Sequence, residues 1–120
     1  MFSIIIPTFN NLEYLKLCLL SIKKNSIYEH ELIIHINEGT DGTLDYVKNL
    51  GVKYGYNKTN VGVCVAFNEA AKLSSSKFIV LGHDDMYFCP GWDTSFANEL
   101  KLLNNNEDFF YREQWFSLLN

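Results

Sequence analysis

Short apolar runs alternate along the chain with segments whose apolar residues recur every three or four positions, and turn-forming residues separate the two kinds. That alternation predicts an α/β fold, a mainly parallel sheet flanked by helices. Ile4-Ile5-Ile6, β-branched and followed by Pro7, reads as a buried first strand whose carboxyl end falls near Thr8, Phe9 and Asn10. Leu12, Leu15, Cys18, Leu19 and Ile22 then keep helical spacing. With Asn10 as cap and Glu13 three positions on as its capping-box partner, the spacing predicts a helix over 11–24.

Leu32-Ile33-Ile34-His35-Ile36 reads as the second strand and runs directly into Asn37-Glu38-Gly39-Thr40-Asp41-Gly42-Thr43, a loop too polar for a core. Leu44, Val47 and Leu50 give a short helical face stopped by Gly51, and a weak strand follows around Val52-Lys53-Tyr54. Asn60 is placed to cap a third helix with Val61, Cys64, Val65 and Ala71 as its apolar stripe and Ser74-Ser75-Ser76 beyond its end. Phe78-Ile79-Val80-Leu81 is a clear fourth strand and delivers Gly82-His83-Asp84-Asp85. Phe96, Leu100 and Leu103 predict one more helix, broken by Asn104-Asn105-Asn106. In the aromatic tail, Phe109-Phe110-Tyr111 fits an edge strand, and Trp115, Phe116, Leu118 and Leu119 fit a helix packing back on the sheet.

The length of 120 residues suits one domain or part of one. A hydrophobic share of 48% against 20% charged residues is the composition of a folded globular chain. The net charge of −4, with Arg112 the sole arginine, argues against a nucleic-acid surface. Acidity is concentrated late: residues 83–120 hold seven acids against two bases. Cys18, Cys64 and Cys89 are odd in number and form no C-x-x-C pair, so they read as reduced core thiols and the expected location is cytoplasmic. No apolar run approaches the roughly 20 residues that cross a bilayer, and no basic leader precedes Ile4, so neither export nor a transmembrane anchor is expected.

In open α/β sheets ligands bind beyond the carboxyl ends of the strands. The first, second and fourth strands all end in polar loops, which carry Thr8 and Asn10, Asn37 to Asp41, and His83 to Asp85. Adjacent carboxylates at a strand end repel unless a cation or hydrogen-bond donors compensate, and Mg²⁺ or Mn²⁺ is commonly held by one or two carboxylates with phosphates and water. Neither a G-x-x-x-x-G-K-[ST] loop nor a G-x-G-x-x-G fingerprint occurs, which counts against ATPase and dehydrogenase chemistry. Against the metal stands the plainer reading of Asp84-Asp85 as a solvated turn. His30 and His35 read as structural, His83 as a loop residue or hydrogen-bonding neighbour, Trp92 as a packed anchor rather than a sugar platform, and Thr40 and Asp41 as caps of the second helix or ligand contacts, roles that can coexist.

Taken in order, Ser3-Ile4-Ile5-Ile6-Pro7-Thr8-Phe9-Asn10, Glu31-Leu32-Ile33-Ile34 leading to Asn37–Thr43, Asn60-Val61-Gly62 with Asn68, and Asp84-Asp85 resemble the family-2 glycosyltransferases of the GT-A fold, over residues 3 to about 93. The resemblance implies a metal-dependent, inverting transfer of sugar from a nucleotide diphosphate donor, by default a UDP-sugar, with Mn²⁺ or Mg²⁺ as cofactor. It implies that Pro7, Thr8 and Phe9 line the nucleotide base, with Phe9 packed on it, and that Glu38 reads the base. The stretch is one residue shorter than the family's, so Asn37 and Glu38 both remain placed to face the base. The resemblance further implies that Asn60, Gly62 and Asn68 complete the donor-binding set, that Asp84 stands near the ribose and that Asp85 ligates the metal, with His83 where the motif's first acid often is.

Phe67 precedes Asn68 where many members carry Arg, and no later acid matches the family's catalytic base. The family's domain is also longer than this chain, so the expectation is a truncated, donor-binding half over 1–120, acceptor and oligomeric state unassigned. Two other readings stand beside it. One is a non-catalytic nucleotide-binding or interaction module that keeps the fold. The other is a receiver domain, which would want its acid pair after the first strand, where Pro7-Thr8-Phe9-Asn10 stands.

Overall fold

The computed structural model describes residues 2–105. The expectations for Phe109-Phe110-Tyr111 and Trp115–Leu119 lie outside the described residues. In chain order the elements are β1 (Ser3–Phe9), α1 (Leu12–Asn25), β2 (Glu31–Asn37), α2 (Thr43–Leu50), β3 (Lys53–Asn57), α3 (Val63–Ala71), β4 (Ile79–Leu81) and α4 (Trp92–Asn105). The four strands form one sheet in the order β3-β2-β1-β4, and every pairing is parallel.

Parallel pairing with helical crossovers buries both faces of the sheet, which is why its central strands are continuous apolar runs. Alternate residues serve opposite layers. Ile4, Ile6, Ile34 and Ile36 pack with Leu15, Cys18 and Ile22 of α1 and Val47 of α2, together with Phe88. Ile5 and Ile33 pack on the other face with Phe67 and Ala70 of α3. The chain leaves β1 towards β2 and β3 and returns through α3 to place β4 on β1's other side. The strand order therefore reverses between β1 and β4, and in such sheets the crevice at the reversal is where ligands bind.

Three capping expectations change in the structure. Asn10 does not cap α1: its backbone is left-handed, with φ 44°, and the Leu12 N–H donates instead to Asp41 Oδ2 across 3.0 Å. Glu13 is exposed and pairs with Lys16 rather than closing a capping box. Asn60 likewise precedes the cap of α3, which is Gly62 at φ 84°, and accepts the Gly62 N–H in a local turn.

The buried face of α3 is Ala66, Phe67 and Ala70, while Cys64 and Val65 are exposed and Val61 lies outside the helix. The segment VCVAFNEAA is apolar nearly all round, so periodicity could not choose a face. The small Ala66 and Ala70 settle it by letting the helix lie close to the sheet. Cys89 is also exposed, which leaves Cys18 as the one buried thiol; none of the three is bonded to another. In α4, Ala97 is buried and Phe96 exposed, because the helix is anchored at its start by Trp92, whose ring packs on Phe2, His30, Phe88 and Phe96.

Candidate functional site at the carboxyl rim of the sheet

β4 stops at Leu81, opposite Ile5, whereas β1 runs on to Phe9. The Gly82 N–H closes the pairing on the Ile5 carbonyl at 2.8 Å, and the chain then turns away. Beside Pro7, Thr8 and Phe9 this leaves the β4 side of β1 without a strand, and the loop from His83 fills it. Gly82 itself is buried, and a Cβ there would lie 3.3 Å from the Phe88 ring and 3.4 Å from Ile6.

The loop is fastened from two sides. On the sheet side, the Thr8 hydroxyl donates to Asp84 Oδ2 at 2.8 Å. On the helix side, a row of polar residues on the buried stripe of α1 holds it. The Cys18 thiol donates to the His83 carbonyl, Ser21 Oγ accepts the Phe88 N–H at 2.9 Å, and Asn25 Nδ2 donates to the Phe88 carbonyl at 2.7 Å. Sequence reasoning overlooked this latch, although Cys18, Ser21 and Asn25 recur at helical spacing and the last two are polar where burial is expected.

Asp84 is half-buried and Asp85 exposed, side by side on the rim. Their negative field is felt beneath them: burial pushes the Cys18 thiol up to about 12, and Asp84 and Asp85 add to the rise. A thiol held so strongly in its neutral form is a hydrogen-bond donor and not a nucleophile. His83 is exposed and meets the Phe67 ring edge-on, with centroids 5.6 Å apart.

The second corner of the rim joins the ends of β1 and β2. Asn37 is buried and accepts the Val61 N–H at 3.3 Å, so it faces the α3 approach. Glu38, half-buried at φ 60°, turns onto the rim, and its side chain takes a long 3.4 Å hydrogen bond from Asn10 Nδ2. Thr40 is exposed and bonded to Asn10 as well. Asp41 stands one residue before the cap of α2, which is Gly42, accepts the Thr43 N–H at 3.1 Å and also accepts the Leu12 N–H at the start of α1. Burial raises the Asp41 carboxyl's proton affinity, but hydrogen bonds from Thr43 and Leu12 outweigh this and hold its pKa below the ordinary range. It is a joint between two helix starts.

Of the other sequence-named positions, Pro7 and Thr8 are buried in β1, while Phe9 at its tip is 47% exposed. Asn60 and Gly62 are exposed at the start of α3, and Asn68, one turn in, has a buried Oδ1 with no hydrogen-bond partner. The two histidines read as structural are so: His30 Nε2 lies 3.0 Å from buried Asp93, and His35 Nε2 lies 2.7 Å from Asn57 Oδ1. Asp93 also accepts the Ile27 and Tyr28 N–H groups, so this acid holds the fold at the far end of the sheet.

The family model for Glycosyl transferase family 2 matches residues 3–108. The chain belongs to that family. Among curated glycosyltransferases, the PGL/p-HBAD biosynthesis glycosyltransferase of Mycobacterium bovis (strain BCG / Pasteur 1173P2) is 36% identical over 94 residues, covering 73% of this chain and 37% of that protein. S. aureus TarS 1-349 superposes with a TM-score of 0.72 at 27% identity, over 81% of this chain and 31% of that one; it has also been solved in complex with UDP-GlcNAc. The mannosyltransferase PcManGT from Pyrobaculum calidifontis, solved with GDP-Man and Mn²⁺, shares the fold at 21% identity and a TM-score of 0.68, over 78% of this chain and 30% of that one. The four-stranded parallel sheet is thus of GT-A type, and the chain spans about a third of the length of the glycosyltransferases it matches.

Among the described residues no helix is long and apolar enough to cross a membrane. No three metal-ligating side chains of the His, Cys, Asp and Glu types converge among them either. The Asp84-Asp85 pair still fits a hard divalent cation, because Mg²⁺ and Mn²⁺ complete their oxygen shells with phosphate and water.

Proposed function

We propose that residues 1–120 form the nucleotide-sugar-binding part of an inverting, metal-dependent glycosyltransferase that uses a UDP-sugar. The observation that carries this reading is the Thr8–Asp84 hydrogen bond, which ties the end of β1 to the acid pair across the point where strand order reverses. Support for the nucleotide comes from the TarS likeness, since that protein was solved with UDP-GlcNAc.

In this reading Pro7, Thr8 and the exposed Phe9 ring line the base, and the Glu38 carboxylate accepts a hydrogen bond from its ring N–H. Asp84, oriented by Thr8, stands by the ribose. Asn60, Gly62 and Asn68 bring the start of α3 to the diphosphate, where backbone N–H groups favour negative charge. Asp85 would hold Mn²⁺ or Mg²⁺, which when bound neutralises charge on the leaving diphosphate.

No acid of this chain is assigned to deprotonate the acceptor hydroxyl, and the acceptor is unassigned. Coverage of about a third of the matched glycosyltransferases favours donor binding over complete transfer as the role of these residues. A cytoplasmic location, with reduced thiols, is part of the proposal.

Calorimetry with UDP tests it. Binding is expected to require Mn²⁺ or Mg²⁺ and to vanish in Asp85→Ala while the melting temperature stays unchanged. Metal-independent binding, or full affinity in Asp85→Ala, overturns the metal role. Turnover of UDP-GlcNAc by the chain above background would rule out a purely non-catalytic binding module.

A further inference from the structure

Asn10 and Glu38 are the only non-glycine residues with positive φ among those described, at 44° and 60°, and they are hydrogen-bonded to each other. Left-handed backbone is unfavourable for Glu38 and uncommon, though tolerated, for Asn10, and strain such as that at Glu38 persists only where surrounding contacts impose it. Here the contacts are visible. The Gly39 N–H bonds back to the Asn37 carbonyl at 2.8 Å, closing a three-residue turn with Glu38 at its apex, and the Glu38 N–H is held by the Asn57 carbonyl at 2.8 Å. Gly39 has no room for a side chain, since a Cβ would lie 2.7 Å from Ile36 Cγ2.

Across from this turn, the Asn10 side chain closes it. Its Oδ1 accepts the Thr40 N–H at 2.9 Å, and its Nδ2 donates to Thr40 Oγ1 at 3.1 Å and to Glu38 Oε2 at 3.4 Å. The Thr40 N–H fixes which way round the amide lies, because only the oxygen can accept it. The position asks for a residue that tolerates φ 44° and offers both an acceptor and a donor. Asn meets each demand. Asp would accept from Thr40 but repel Glu38, and Gly would keep the backbone and lose the side chain.

We infer that Asn10 is a positioning residue for nucleotide recognition: by locking the Asn37–Thr40 turn it fixes the Glu38 carboxylate where the base N–H arrives. This rests on the donor-binding reading above. Helix capping does not account for the residue, because the Leu12 N–H is taken by Asp41. Preorganising a recognition group on the scaffold lowers the ordering cost paid on binding, and that gain acts on the base alone.

Calorimetry on the full chain separates the possibilities, with UDP plus Mn²⁺ and inorganic pyrophosphate plus Mn²⁺ as probes. Asn10→Gly, which keeps the left-handed backbone, is expected to weaken UDP about tenfold and leave pyrophosphate unchanged. Asn10→Asp is expected to weaken UDP at least as much. In Glu38→Ala, adding Asn10→Gly is expected to cost nothing further, because Asn10 acts through Glu38. The inference is overturned by UDP affinity indifferent to Asn10, by equal loss for pyrophosphate, or by independent, multiplying losses in the double variant. Failure of the unaltered chain to bind UDP would instead sink the donor-binding reading, and this inference with it.

Discussion

The hydroxyl of Thr8, at the end of β1, donates to Asp84 Oδ2 across 2.8 Å, joining residues 76 positions apart in sequence. Thr8 is buried and Asp84 half-buried, so the bond is partly shielded from water and orients the carboxylate before any ligand arrives. Thr8→Val keeps the shape and β-propensity and removes only the donor. It is expected to cost about 1 kcal/mol of stability by urea denaturation, and to weaken UDP binding in the presence of Mn²⁺ by about tenfold. Thr8→Ser should recover most of that loss, since it restores the hydroxyl.

The thiols should separate cleanly by reactivity. Cys64 and Cys89 are exposed, whereas Cys18 is buried and its pKa is pushed up to about 12 by burial and by Asp84 and Asp85. Titration with a disulfide reagent at pH 8 is therefore expected to modify Cys64 and Cys89 quickly and Cys18 only on unfolding. Rapid modification of Cys18 in the folded chain would mean that the α1 latch under His83 is open.

Acid stability should carry the mark of Glu31 at the opposite end of the sheet. Its carboxylate takes hydrogen bonds from Lys53, Ser3 and Ser75, which lower its pKa to about 2 from an ordinary 4.5. A depressed folded-state pKa means that the stabilisation is complete above about pH 4.5 and is lost as pH falls towards 2. The stability gap between the unaltered chain and Glu31→Gln, measured by urea denaturation, is expected to be constant from pH 7 to 5 and to close between 4.5 and 2. A gap that does not change with pH would contradict the ionic role of Glu31.

Much of the fold was legible in the sequence because parallel central strands are written as plain apolar runs: Ile4-Ile5-Ile6 and Leu32–Ile36 fall inside β1 and β2. Gly51 ends α2 as its position suggests, in left-handed conformation. What sequence could not supply was long-range hydrogen bonding. Asn10 followed by Glu13 has the form of a local cap, yet the cap of α1 comes from Asp41, 29 residues away. The face of α3 was equally hidden, since Cys64 and Val65 are as apolar as the Ala66 and Ala70 that pack on the sheet. At the rim, sequence order indicated which residues stand at strand ends. The different settings of Asn37 and Glu38 came only from the turn geometry, in which Asn37 is buried and accepts the Val61 N–H while Glu38 is half-buried on the rim.

The most direct measurement is an amide NMR titration of the 13.9 kDa chain with UDP and then Mn²⁺. UDP is expected to shift the resonances of Thr8–Asn10 and Glu38–Thr40, and Mn²⁺ to broaden those of His83–Met86 most strongly. Shifts and broadening centred on the other end of the sheet, around Glu31 and Ser75, or no response at Asp84 and Asp85, would contradict a nucleotide diphosphate site at this rim.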